Sequence, residues 1–140
     1  MRYLGIDFGL KRTGLAMTDA AGTLAFPLKT LYKKTNRQFW DELLDTINHE
    51  KIDALVVGMP FDLYGQETEI TVQAKNFIRR IQKKSGLPVY TVNETCSSIE
   101  AKEQLKQANV SKYKLNQYLD QQAAVVILES YLNSRTLYEV

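Results

Sequence analysis

The chain is predicted to adopt an α/β fold, a five-stranded mixed sheet flanked by helices, on three observations. Short apolar runs separated by glycine-marked turns open the chain as antiparallel strands. Residues 54–57, Ala-Leu-Val-Val, are uniformly apolar, as in a strand buried on both faces. Helical spacings of apolar residues then lie between the later strands, as crossovers between parallel strands require.

Element by element, Tyr3, Leu4 and Ile6 form a first strand. Gly9 and Gly14 mark a turn, and Leu15, Ala16 and Met17 resume the extended run as the second arm of a hairpin. Gly22 marks a second turn. Residues 23–31 read as a third strand, with Pro27 favouring an edge position or a bulge because it has no N–H to donate. From Asn36, a candidate N-cap, Phe39, Trp40, Leu43, Leu44 and Ile47 recur at helical spacing to about Glu50. The strand at 54–57 ends in Gly58, Met59 and Pro60, and the loop FDLYGQE follows. Ile70, Ala74, Phe77, Ile78 and Ile81 define a second helix, stopped by Gly86 and Pro88. A strand over 87–92 reaches Asn93 and Glu94, and helices are expected over 98–108 and about 115–132. The order βββαβαβαα implies antiparallel strands first and crossover-linked parallel strands after them.

With 44% hydrophobic residues, 140 residues can bury one core and are too few for two ordinary domains, so residues 1–140 are expected to form a single domain. No apolar run of about 18 residues exists to span a bilayer, and the amino terminus lacks the pattern of a secretory signal. One cysteine, Cys96, excludes an internal disulfide and suits a reducing, cytoplasmic setting. Net charge is +2, unevenly divided. Residues 1–70 carry 8 Lys/Arg against 10 Asp/Glu and residues 71–140 carry 10 against 6, so the second half is the more suited to a polyanion.

Asp7 closes an apolar strand just ahead of Gly9. Open α/β sheets hold ligands at the carboxyl ends of their strands, although an aspartate before a glycine turn also serves as a turn cap. Glu94 follows its own strand in the same way, so parallel neighbours would bring both acids to one edge. Asp120, Ala124, Ile127, Leu128 and Tyr131 share one helical face, so Asp120 extends the stripe that packs on the sheet. A carboxylate there needs a basic partner or a cation, unless it faces water near the helix N-terminus. Three converging carboxylates suit a hard divalent cation, Mg²⁺ or Mn²⁺, which works on phosphates. Two such ions could activate water and stabilise the leaving oxygen of an in-line displacement.

Lys11 and Arg12 beside Asp7, and Lys112 and Lys114 ahead of the last helix, are placed for sequence-independent phosphate contact, a role that competes with plain solvated loops. Residues 109–117 lack apolar periodicity and form a candidate flap. The cluster Lys75, Arg79, Arg80, Lys83 and Lys84 looks nucleic-acid-binding. Topology instead sends 79–84 away from the acidic edge, where the cations complement a helix C-terminus. His49 reads as a helix-end residue and Cys96 as a small buried one.

The ordered segments GIDFGLKRTGLAMTD, VVGMPFDLYG, TVNETCSSIEA and LDQQAAVVILESYL, spread over nearly the whole chain, resemble the YqgF (RuvX) family. That resemblance implies a ribonuclease-H-like fold and a Mg²⁺-dependent acidic centre for phosphodiester hydrolysis. It also implies a part in maturing the precursor of small-subunit ribosomal RNA. By motif position, Asp7 matches the first-strand acid, Glu94 the acid of the segment usually written D-E-R, and Asp120 the acid opening the last helix. Asn93 and Thr95 depart from that segment, removing an acid and a guanidinium phosphate clamp. Ala123 stands where related resolvases often carry a fourth acid.

Other readings compete. One is a Holliday junction resolvase acting on branched DNA, and another is a nucleic-acid-binding module that has lost catalysis, either as a monomer or a homodimer. An actin- or hexokinase-like ATPase, whose hairpin carries a similar D-x-G, would need a second lobe that the chain lacks.

Overall fold

The computed structural model describes residues 1–94 and 112–138. The helix expected over 98–108, together with Thr95 and Cys96, lies outside them, as do residues 109–111 of the candidate flap, whereas its residues 112–117 are not a loop but the first turns of the last helix. The described elements are β1 (Tyr3–Asp7), β2 (Arg12–Thr18), β3 (Ala25–Tyr32), α1 (Asn36–His49), β4 (Ala54–Met59), α2 (Glu69–Ser85), β5 (Val89–Asn93) and α3 (Lys112–Tyr138). The strands form one sheet in the order β3-β2-β1-β4-β5. β1 and β2, and β2 and β3, pair antiparallel, whereas β4 runs parallel to both β1 and β5.

Strand alternation divides the sheet into two faces. Leu4, Ile6, Leu15, Met17, Leu55 and Val57 meet Phe39, Leu43 and Ile47 of α1 and Phe77 and Ile81 of α2. The residues between them, Tyr3, Ala16, Ala54 and Val56, meet Ala124, Val125, Ile127 and Leu128 of α3. All six residues of β4 are buried, which is why that segment reads as an unbroken apolar run. Among the described residues no helix is long and apolar enough to cross a membrane.

Three local features depart from the sequence expectations or refine them. The cap of α1 is Thr35 rather than Asn36. The Thr35 backbone is extended and its hydroxyl accepts from the Gln38 N–H at 3.1 Å, so Asn36 is already helical. Gly14 is no turn residue but lies inside β2, abreast of Asp7. Pro27 sits on the edge strand β3 opposite Ala16, where the register slips between Leu15 and Ala16, so the missing N–H falls at both an edge and an irregularity.

Candidate active site

The acids reach a common edge by strand parity. Asp7 follows Tyr3 and Gly5 on the α3 face of β1, Gly58 follows Ala54 and Val56 on that face of β4, and Glu94 follows Tyr90 and Val92 beside β5. The Glu94 N–H donates to the Met59 carbonyl at 3.2 Å, extending the β4–β5 ladder by one residue and holding Glu94 at the sheet margin. Gly58 lies between the two acids and makes room for them. A Cβ there would stand 2.5 Å from both Glu94 Oε2 and Ile127 Cδ1.

Glu94 is buried, and its carboxyl group is hydrogen-bonded to that of Asp7. Burial holds the Asp7 carboxyl well above the usual carboxylate range. The Glu94 charge, the hydrogen bond between the two and the Asp120 charge add to the shift. Two carboxyl groups this close cannot both ionise cheaply, so they share a proton or take a cation. Among the described residues, no three Asp, Glu, His or Cys groups come together closely enough to hold one ion.

Asp120 enters from α3 and takes the basic partner that its position demands. Arg12 Nε lies 3.0 Å from Asp120 Oδ2, with the arginine side chain 41% exposed and the aspartate 17%. At that distance the two form an ion pair between the β1–β2 side of the sheet and α3. Burial pushes the Asp120 carboxyl up, and Arg12 pulls it part of the way back. The helix lies tight on the sheet here. A Cβ on Gly14 would stand 1.9 Å from the Asp120 carbonyl oxygen.

The basic residues are distributed less simply than expected. Lys11 and Arg12 line a groove that also contains Asp120. Lys112 and Lys114 open α3, but their side chains lie outside the described residues. Lys75 pairs with Glu67, and Lys84 lies over the Trp40 ring, 5.2 Å from its centroid. Arg79 is not remote from the strand ends, as topology had suggested. One turn beyond Lys75 on the same face of α2, it lines a cavity with Met59, Thr91 and Asn93. The sequence reading missed Gly58 and the strand position of Gly14. A glycine inside a strand is itself a sign of close backbone approach.

This arrangement has relatives. A profile of the RuvX family, described as Holliday junction resolvase, matches residues 1–134. A protein of Oleidesulfovibrio alaskensis, named as a candidate pre-16S rRNA nuclease, is 49% identical over 133 residues, spanning 95% of this chain and 92% of that one. A protein of the same name from Koribacter versatilis is 35% identical over 134 residues, spanning 96% and 88%. Among solved structures, Thermus thermophilus RuvC in complex with a Holliday junction substrate matches with a TM-score of 0.58 at 17% identity, over 97% of this chain and 96% of that one. The fowlpox virus Holliday junction resolvase matches with a TM-score of 0.57 at 16% identity, over 96% and 99%. At those identities the likeness speaks for the fold, a ribonuclease-H-like sheet of the resolvase type. Sequence identity and profile together establish that the chain belongs to the RuvX family.

Proposed function

We propose that this RuvX-family chain is a divalent-metal-dependent nuclease that hydrolyses phosphodiester bonds in maturing the 5′ end of pre-16S rRNA. In this reading Asp7, Glu94 and Asp120 are its acids. The observation that carries it is the Asp7–Glu94 pair, two carboxyl groups held together at a buried margin where burial and mutual repulsion disfavour ionisation. Hard oxygen donors so arranged fit Mg²⁺ or Mn²⁺. When bound, such an ion supplies charge neutralisation at the scissile phosphate and a more acidic water for in-line displacement.

The chain's own residues prepare that chemistry. Asp7 and Glu94 would hold the ion in place of their shared proton, and Asp120 adds a third negative charge beside them. Arg12 balances Asp120 and keeps a guanidinium next to the acids, where a phosphate could take it as a bidentate partner. Lys11, and Lys112 and Lys114 at the start of α3, would neutralise flanking phosphates without reading sequence. The names of the relatives favour RNA, and the family description keeps branched DNA as the competing substrate.

The test is parallel cleavage of a 5′-extended 16S precursor and a four-way DNA junction. The expected result is Mg²⁺-dependent cleavage of the RNA, abolished by EDTA and restored by Mg²⁺. Faster cleavage of the junction would reassign the substrate, and tight binding with no cleavage under Mg²⁺ or Mn²⁺ would remove the enzymatic role.

Gly58 offers a narrower check. Gly58→Ala places a methyl group against the ends of two flexible side chains, Glu94 and Ile127, which yield more readily than backbone does. Stability is expected to change by less than about 1.5 kcal/mol, while displacement of Glu94 lowers turnover by about 10²-fold. Thermal melts with single-turnover kinetics separate the two effects.

A further inference from the structure

The groove that contains Arg12 and Asp120 has a second half that the acids do not explain. It has a volume of about 990 Å³, at the top of the usual span of ligand sites (roughly 300–1,000 Å³). Its walls come from the β1–β2 turn and the end of β3, joined where the Lys33 N–H donates to the Lys11 carbonyl at 3.0 Å. Lys11 and Lys33 both line it. Arg12 is engaged by Asp120, so these two lysines supply the uncommitted positive charge along that wall. Beside them stands Tyr32, the last residue of β3 and the cross-strand partner of Arg12, with 47% of its surface exposed. Among the described residues its ring stacks on no other aromatic ring.

Cations lining a groove beside an exposed aromatic ring make a binding surface for single strands. The cations track phosphates, and the ring accepts the face of a base that has no stacking neighbour. A duplex keeps its base faces covered and offers that ring nothing. Asp120 is the acid that faces the groove, and Arg12 offsets its repulsion of phosphates.

We infer that this groove seats a single-stranded stretch of polynucleotide, with Lys11 and Lys33 on its phosphates and Tyr32 stacked on an unpaired base. The inference deepens the nuclease reading, resting on it for the strand's destination, and it assigns roles to Tyr32 and Lys33.

Binding measured in EDTA separates it from catalysis. The full chain is titrated, by fluorescence anisotropy, into a short single-stranded RNA, a single-stranded DNA of the same sequence and the corresponding duplex. Tyr32→Ala is expected to weaken binding to single strands about tenfold and to leave duplex binding unchanged, while Tyr32→Phe binds as the parent does. Lys33→Ala is expected to lower the slope of log K against log salt on single strands by about 0.7. Equal losses on RNA and DNA support a shared single-strand site, and a loss confined to RNA supports one that also reads the 2′-hydroxyl. Parental affinity of Tyr32→Ala for single strands, or an equal loss on the duplex, overturns the inference. Because no cleavage occurs in EDTA, an inactive parent enzyme would sink the nuclease reading and leave this result standing.

Discussion

Asp7→Asn is expected to cut phosphodiester cleavage by at least about 10²–10³-fold, the loss seen when one electrostatic contact to developing charge is removed, and at the same time to stabilise the metal-free fold. Asparagine keeps the shape and the hydrogen-bonding capacity of the aspartate, so the loss of activity reflects charge rather than folding. The gain in stability follows from the direction in which Asp7 is shifted. Its folded-state value is raised, first by burial and then by Glu94 and Asp120. A raised acid binds its proton more tightly in the folded state. It therefore opposes folding least below the ordinary carboxylate value of about 4 and increasingly as pH rises through the raised one. The melting temperature of Asp7→Asn in EDTA should exceed that of the parent at neutral pH, and the gap should close toward pH 4. Mg²⁺ reverses the order. An ion at 100 times its Kd stabilises the parent by about 2.7 kcal/mol, and the variant, lacking the charge, gains far less. A variant that keeps cleaving, or that melts below the parent without metal at neutral pH, would remove Asp7 from the centre of the site.

Much of this site was legible in the sequence because its parts obey local periodicities. Alternation along Tyr3–Asp7 and the unbroken apolar run in β4 identify strands, and the stripe Ala124, Ile127, Leu128 and Tyr131 identifies the face of α3 that packs on the sheet. Strand polarity then brings Asp7 and Glu94 to one edge without any knowledge of contacts. What local pattern does not carry is which residue fills the space between elements. Gly58 reads from sequence as the end of a strand, and only the approach of Glu94 and Ile127 from β5 and α3 shows why it has no side chain. The Arg12–Asp120 pair joins residues more than a hundred positions apart. Burial of Asp120 required a cation or a base, but spacing could not say which. Thr35 and Asn36 are both good caps one residue apart, a margin that propensity does not resolve. Helix direction carries Arg79 down α2 away from its start, but it does not say that this face lies along β5, where Arg79 lines a cavity with Met59, Thr91 and Asn93.

Gly14→Ala tests whether the seating of α3 on the sheet positions Asp120. In the interior of a strand such a change ordinarily favours folding, by roughly 0.5–1 kcal/mol, because glycine loses more backbone freedom than alanine does. Here the added Cβ would stand 1.9 Å from the carbonyl oxygen of Asp120 and 2.2 Å from its carbonyl carbon. Both are backbone atoms of a helix, which cannot rotate aside as the Glu94 and Ile127 ends can beside Gly58. The helix must lift or β2 must bend, and overpacking of this kind typically costs about 1–3 kcal/mol. The net effect is expected to be a fall in melting temperature of several degrees, at about 2–4 °C per kcal/mol for a chain near this size. Its sign is opposite to the one that strand propensity alone dictates. Asp120 moves with the helix away from Arg12 and from the Asp7–Glu94 pair, so turnover should drop by about 10²-fold for a displacement near 1 Å. The groove lysines Lys11 and Lys33 lie in the β1–β2 turn and just past β3 rather than on α3, so single-strand affinity in EDTA should stay within about threefold of the parent. Cleavage measured well below both melting temperatures, beside that affinity, separates misplacement of Asp120 from general unfolding. A Gly14→Ala protein that melts at or above the parental temperature and cleaves within about twofold of it would show that α3 is not held to the sheet at this point, and that Asp120 owes its position to something other than the bare backbone of β2.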